Sequence, residues 1–266
     1  ACYSKDKTQF FFSVCNYKGL DKAECDIYRS RYNQMEESWN APRKLEESIN
    51  DKKSTNTQPN IGIYKDGKEV LYFVSDREGG VGGLDIWYSV IDENGELGWP
   101  KNCGKRINTD RDEFSPFYEN KSNSMYFSSE GHNGFGGLDI FNAKGMTRKW
   151  QYPINLGHPI NSSVDDIYFN IDSKGKGGFF TSNRSGSLTL KHPTCCDDIY
   201  SYEKLNIIEL KLKGNLIVMH DTLPKVSDSI QLSISFSDSL GKDLVLLEEN
   251  LLNTDSFEFE IKENQC

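Results

Sequence analysis

A recurring motif constrains this chain more than any other feature. Asp-Ile followed by an aromatic occurs at Asp26-Ile27-Tyr28, Asp85-Ile86-Trp87, Asp139-Ile140-Phe141 and Asp198-Ile199-Tyr200. Ahead of each lies an aromatic-hydroxyl stretch: FFFSV (10–14), LYFVS (71–75), MYFSS (125–129) and GFFTS (178–182). After the first three comes a Trp with a nearby Pro: Trp39 with Pro42, Trp99 with Pro100, Trp150 with Pro153. An Ile-Asn pair then closes the unit, at Ile49-Asn50, Ile107-Asn108 and Ile160-Asn161. Landmarks in a fixed order at a period of roughly 50–60 residues define a repeat protein.

Each unit reads as short strands separated by turn residues. In the third they are EFSPFYE (113–119), SMYFSSE (124–130), DIFNAKG (139–145) and a last strand around RKWQYPINL (148–156). Four antiparallel strands per repeat at this period mark a β-propeller blade, and no useful 3.6-residue periodicity supports a helical solenoid. The step from second-strand Ser to Asp is ten residues at Ser75/Asp85 and Ser129/Asp139 but sixteen at Ser182/Asp198, placing insertions in a surface loop. The first unit lacks a convincing first strand and the fourth lacks the Trp-Pro strand, so blades are expected to lie outside this fragment. From about Ile207 the pattern becomes cleanly alternating, in IIELKLKG (207–214), SIQLSISFS (229–237) and SFEFEIKE (256–263). The expected fold is therefore all-β: four recognisable blades of an incomplete β-propeller over 1–205, then a small, truncated β-sandwich over 206–266.

The chain starts at Ala1 with no charged or apolar leader, as expected of a processed or excised segment. Its formal charge of −9 argues against nucleic acid or an anionic lipid surface as the main partner. No apolar run is long enough to span a bilayer. Seven cysteines without a CxxC pair, and four histidines remote from them, argue against zinc and for an oxidising compartment. Cys15 and Cys25 flank one short loop and are the expected disulfide. The states of Cys2, Cys103, Cys195, Cys196 and Cys266 stay open.

The loop GGVGGLDIWYS (79–89) returns as GFGGLDIFNAK (134–144), with Asp85 and Asp139 54 positions apart. A phosphate cradle needs GxGxxG followed by a helix, whereas these glycines precede a strand. Gly79, Gly80, Gly82 and Gly83 are expected to supply positive φ between strands, and Gly136 and Gly137 repeat the last two. Asp26, Asp85, Asp139 and Asp198 recur one per blade, too far apart to share a substrate. Their expected role is to accept backbone N–H bonds from the loop ahead of each strand. The pairs Asp112-Glu113 and Asp165-Asp166 open inner strands, either lining a central channel or bonded to backbone. Trp39, Trp99 and Trp150 are expected to pack between blades. A sialidase reading fails for want of an arginine triad, a serine hydrolase for want of a GxSxG elbow. No catalytic, cofactor-binding or metal-binding residue is expected.

SDREGGVGGLDIWYS (75–89) and SSEGHNGFGGLDIFNAK (128–144) resemble the WD-repeat-like propeller blades of Bacteroidetes envelope proteins. FSVCNYKGLDKAECDIYRS (12–30) and CCDDIYSYE (195–203) are similar, so the resemblance covers about residues 8–203. The region with Leu212, Gly214 and NTDSFEFEI (253–261) resembles a carboxypeptidase-regulatory-like domain, although Asp255 is not followed by the Gly usual in that family's turn. The resemblance implies OmpA-family, periplasmic, outer-membrane-associated components of type IX secretion and gliding machinery. It implies a non-enzymatic scaffold for other envelope proteins, with peptidoglycan bound only through an OmpA-like domain outside these residues. The alternative is a glycan- or peptide-binding receptor using the central propeller pocket. A concave pocket lined by aromatics with converging polar groups distinguishes that receptor from a docking disc.

Overall fold

In the computed structural model the described residues are 1–17, 23–64, 66–187, 197–204, 210–215, 229–237, 243–252 and 256–261. The expected loop cysteines Cys195 and Cys196, the turn at Asp255 and Cys266 lie outside them. The chain divides into two compact units, 1–203 and 204–266. No helix occurs among the described residues.

The first unit is a four-bladed β-propeller arrangement of consecutive antiparallel sheets. The first blade contains β1 (Cys2–Tyr3), β2 (Gln9–Tyr17), β3 (Ala23–Asn33), β4 (Ser38–Trp39) and β5 (Arg43–Lys44). The second contains β6 (Asn56–Ile63), β7 (Glu69–Ser75), β8 (Asp85–Val90) and β9 (Lys101–Asn102). The third contains β10 (Glu113–Glu119), β11 (Ser124–Ser129), β12 (Asp139–Met146), β13 (Lys149–Trp150) and β14 (Ile154–Asn155). The fourth holds β15 (Asp166–Ile167), β16 (Gly177–Ser182) and β17 (Asp198–Glu203). A first strand is thus present in the first blade: Cys2 pairs with Phe11 and Tyr3 with Phe10. Two residues carry too little periodicity to be recognised as a strand from sequence.

The second blade's β7 reads as a continuous apolar run because that blade is covered on both faces. In β7, Val70, Tyr72 and Val74 join Tyr118, Met125, Phe127 and Trp150 of the third blade. The alternate residues Leu71 and Phe73 face the other way, packing with Phe11, Ile27 and Ile49 around the first blade. The period of two along one strand therefore feeds two inter-blade cores. Each fully buried aliphatic or aromatic side chain contributes about 1.5–3 kcal/mol. Ile140, Phe169 and Phe180 build a third core, joining the last two blades.

The second unit has two antiparallel pairs. β18 (Leu210–Asn215) pairs with β21 (Ser256–Ile261), and β19 (Ser229–Ser237) with β20 (Asp243–Leu252). Strand β20, DLVLLEENLL, lacks clean alternation, because the polar Glu248-Glu249-Asn250 run interrupts its apolar residues.

Candidate functional site

The recurrent residues form a hydrogen-bonded frame. Asp85 accepts from the Val81 N–H and, at 3.3 Å, from the Gly82 N–H. Asp139 accepts from Phe135 at 2.5 Å and Gly136 at 3.2 Å. Asp26 instead pairs with Lys44 at 2.6 Å, and Asp198 starts β17 opposite Ser182. Cys15 and Cys25 are opposite one another in β2 and β3 and joined by a disulfide.

The glycines differ from expectation. Of Gly79, Gly80, Gly82 and Gly83 only Gly79 has positive φ, at 87°, and neither Gly136 nor Gly137 does. A Cβ on Gly82 would collide with the Thr109–Arg111 backbone, and one on Gly136 with Ser163 and Val164. On Gly83 and Gly137 it would strike the carboxylates of Asp112 and Asp165. These glycines are present because the next blade's entry segment lies directly against them. That segment is secured by Asp112, which accepts from the Leu84 N–H at 2.7 Å, and by Asp165, which accepts from Leu138 at 3.0 Å. Neither aspartate is a free channel-lining group.

The Ile-Asn landmark has a role that sequence spacing did not assign. Asn108 accepts from the Ile86 N–H at 2.8 Å and donates to the Ile86 carbonyl at 2.9 Å. Asn50 does the same to Ile27, and Asn161 to Ile140. Each buried amide thus pairs with both backbone groups of the Ile in its own blade's Asp-Ile motif. A second set reaches between blades. Arg77 donates to the Ile49 carbonyl, His132 Nε2 lies 3.0 Å from that of Ile107, and Arg184 donates to that of Ile160 at 2.5 Å. The clue was in the sequence, since Arg77, His132 and Arg184 each follow a second strand closely.

The buried carboxylates belong to this frame. Arg184 ion-pairs with fully buried Asp166 at 2.6 Å. Glu113 is inaccessible and accepts from the Thr109 N–H at 2.8 Å and from the Thr109 and Ser129 hydroxyls at 2.7 Å. Desolvation, against the pull of those bonds, raises its pKa to about 7. Such a value suits a general acid, but a substrate has no access to this group.

Side chains join the inner strands directly. Gln58, Ser115 and Tyr168 occupy corresponding positions with φ of 52°, 48° and 56°. The Ser115 N–H donates to Gln58 Oε1 at 2.5 Å, Gln58 Nε2 to the Tyr168 hydroxyl at 3.0 Å, and the Tyr168 N–H to Ser115 Oγ at 3.1 Å. The Gln58 N–H reaches Ser13 of the first blade at 3.0 Å. The receptor alternative would place an aromatic pocket at the centre, whereas the aromatic-floored pocket of this structure is at a blade boundary.

It lies between the second and third blades, as a cavity of about 860 Å³. Three turns at the same end of the sheets converge on it: the β6–β7 turn through Tyr64, the β10–β11 turn through Asn123, and the β12–β13 hairpin. Trp150, only 4% exposed, and buried Tyr118 form its aromatic floor, with Tyr64 at the edge. The Trp150 indole donates to the Thr147 carbonyl at 2.7 Å, and Tyr118 to that of Gly145 at 2.9 Å. Burial pushes the Tyr118 hydroxyl up to about 12, so it remains a donor at neutral pH. Trp39 and Trp99, by contrast, are 43% and 81% exposed, so of the three repeated tryptophans only Trp150 is core.

The pocket's charge is one-sided. Arg106, Lys144, Arg148 and Lys149 line it with Asn123 and Gln151, and among the described residues no carboxylate does. Arg106 is fixed, donating to the Trp150 carbonyl at 2.6 Å and stacking 4.6 Å over Tyr152. Lys144, Arg148 and Lys149 form no ion pair among the described residues. The corresponding hairpin of the second blade is acidic, with Asp92, Glu93 and Glu96. The basic character therefore belongs to this blade and not to the repeat.

No family model and no curated protein matches the sequence. Among solved structures, an endo-arabinase from Bacteroides thetaiotaomicron VPI-5482 is similar at 14% identity and a TM-score of 0.47, over 75% of this chain and 72% of that one. A thermostable family-43 glycoside hydrolase is similar at 14% identity and 0.41, over 65% and 61%. A prolyl oligopeptidase B from Galerina marginata gives 10% identity and 0.38, over 92% and 37%. These are hydrolases and none is a secretion or gliding component, so neither the expected non-enzymatic envelope scaffold nor the expectation that the chain is no enzyme is supported. The likeness extends to the propeller fold and carries none of those activities to this chain.

Proposed function

We propose that the propeller unit binds an acidic oligosaccharide in the pocket between its second and third blades. One observation carries this reading: among the described residues, four cationic side chains and no carboxylate line an aromatic-floored cavity, in a chain of net charge −9. Its volume of about 860 Å³ suits a ligand of a few sugar rings. Lys144, Arg148 and Lys149 supply charge, Asn123 and Gln151 supply amides able to both donate and accept, and Tyr64 offers an apolar ring face. The Cys15–Cys25 disulfide and the resemblance of the blades to envelope propellers support a periplasmic, outer-membrane-associated setting.

Titration with oligogalacturonates and with neutral oligosaccharides of equal length tests the proposal. Acidic chains are expected to bind at least tenfold more tightly, and Lys144→Gln with Arg148→Gln to remove that preference. Equal affinity for the neutral series, or an unaffected double variant, would contradict it.

A further inference from the structure

A second cavity, of about 700 Å³, lies between the first blade and the β8–β9 hairpin of the second. Its lining includes Arg29, Arg31 and Arg43, with Asn40 and a single carboxylate, Glu96. The arginines share one region by construction. Arg29 and Arg43 are directly opposed partners in β3 and β5, and Arg31 is two residues along β3, on the same face as Arg29.

This grouping is electrostatically unfavourable as it stands. Like charges directly opposed across antiparallel strands repel. The Arg29 guanidinium is half-buried and donates to neutral groups, the Gly95 carbonyl at 3.1 Å and Gln9 Oε1 at 3.5 Å. Desolvation first, and then Arg31, lower its pKa, with Glu46 and Glu96 acting weakly in the other direction. None of the three arginines forms an ion pair among the described residues. The chain has 40 acidic residues, so carboxylates were available to neutralise them. The residues are also all arginine, whose planar fork grips two oxygens of one anion where lysine offers a point charge.

We propose that Arg29, Arg31 and Arg43 form a second binding site, independent of the aromatic pocket, for an oxyanion group carried by a ligand. The shared chemistry is a carboxylate, sulfate or phosphate with at least two acceptor oxygens. Arg29 is fixed from behind by Gly95 and Gln9 and orients the anion. Exposed Arg31 and Arg43 close on it from the solvent side.

Thermal denaturation of the full chain in sodium sulfate, phosphate and acetate, each matched to sodium chloride at equal ionic strength, tests the proposal. At least one oxyanion is expected to raise Tm above the chloride control, and the three salts distinguish the group preferred. Arg31→Gln with Arg43→Gln should abolish that increment while keeping or raising Tm in chloride, since two repelling charges are removed. Arg31→Lys with Arg43→Lys should lose at least fivefold in anion affinity. Lys144→Gln with Arg148→Gln, in the other pocket, should leave the increment intact, which separates this site from the oligosaccharide proposal. The inference is overturned if no oxyanion exceeds chloride, if the glutamine variant keeps the increment, if it melts lower in chloride, or if lysine serves as well as arginine.

Discussion

Asn108 shows how much a single side chain can hold. Its amide both donates to and accepts from the Ile86 backbone, and it also donates to Asn102 at 2.9 Å. Asn108→Asp keeps the shape but loses both donors, leaving a buried carboxylate beside the Ile86 carbonyl. The expected loss is about 2–4 kcal/mol, given the cost of unsatisfied buried polar groups. Urea unfolding at pH 7 checks this, and a variant within 0.5 kcal/mol (about the spread of neutral surface changes) would contradict the assigned role.

Glu113 is expected to control the pH dependence. Its folded pKa of about 7 lies above the usual 4.5, so the folded chain holds this proton more tightly than the unfolded one. Its stabilising contribution is therefore fully present below about pH 4.5 and is lost as pH rises through about 7. His132 acts oppositely: desolvation lowers its pKa, so its contribution is present above about pH 6.5 and is lost as pH falls below that through the lowered folded value. Glu113→Gln removes the first effect alone. Relative to wild type it should gain about 1–3 kcal/mol between pH 5 and pH 8. Chemical denaturation at both pH values measures the gain, and a constant difference would refute the shifted pKa.

Among the elements, the loop between second and third strands was legible as a turn and misread in its mechanism. Glycine looks the same in sequence whether it serves positive φ or close approach. Only the neighbouring blade, brought against Gly82 by the fold, distinguishes the two. Gly82→Ala should accordingly cost more than Gly79→Ala. The first forces the Thr109–Arg111 backbone away from the loop, whereas Gly79 meets open space and loses only its left-handed preference, about 1 kcal/mol. Comparative melting of the two variants decides the order, and a milder Gly82→Ala would contradict the packing argument. Trp39, Trp99 and Trp150 teach a related lesson. They occupy one repeat position, but the neighbours that cover Trp150 leave Trp99 exposed.

The four repeats and their strand order were readable from Asp-Ile-aromatic spacing, because alternate burial between blades imposes the same residue types each time. The pocket was not readable, because it depends on how one blade departs from the others. AKGMTRKW (143–150) and the acidic VIDENGEL (90–97) fill equivalent hairpins with opposite charge, and Tyr64, Asn123 and Arg106 reach the site from separate turns. The inner strands meet through Gln58, Ser115 and Tyr168, while the aromatic-floored pocket lies at a blade boundary. Binding by its exposed lysines and arginines, as proposed, is expected to be salt-sensitive.

Calorimetric titration of the full chain with tetragalacturonate, against neutral tetragalactose at the same ionic strength, tests the account most directly. The prediction is saturable binding of the acidic tetrasaccharide, weakened by added sodium chloride and reduced at least tenfold by Lys144→Gln with Arg148→Gln. Equal binding of the neutral tetrasaccharide, or no saturable heat with either, would contradict it.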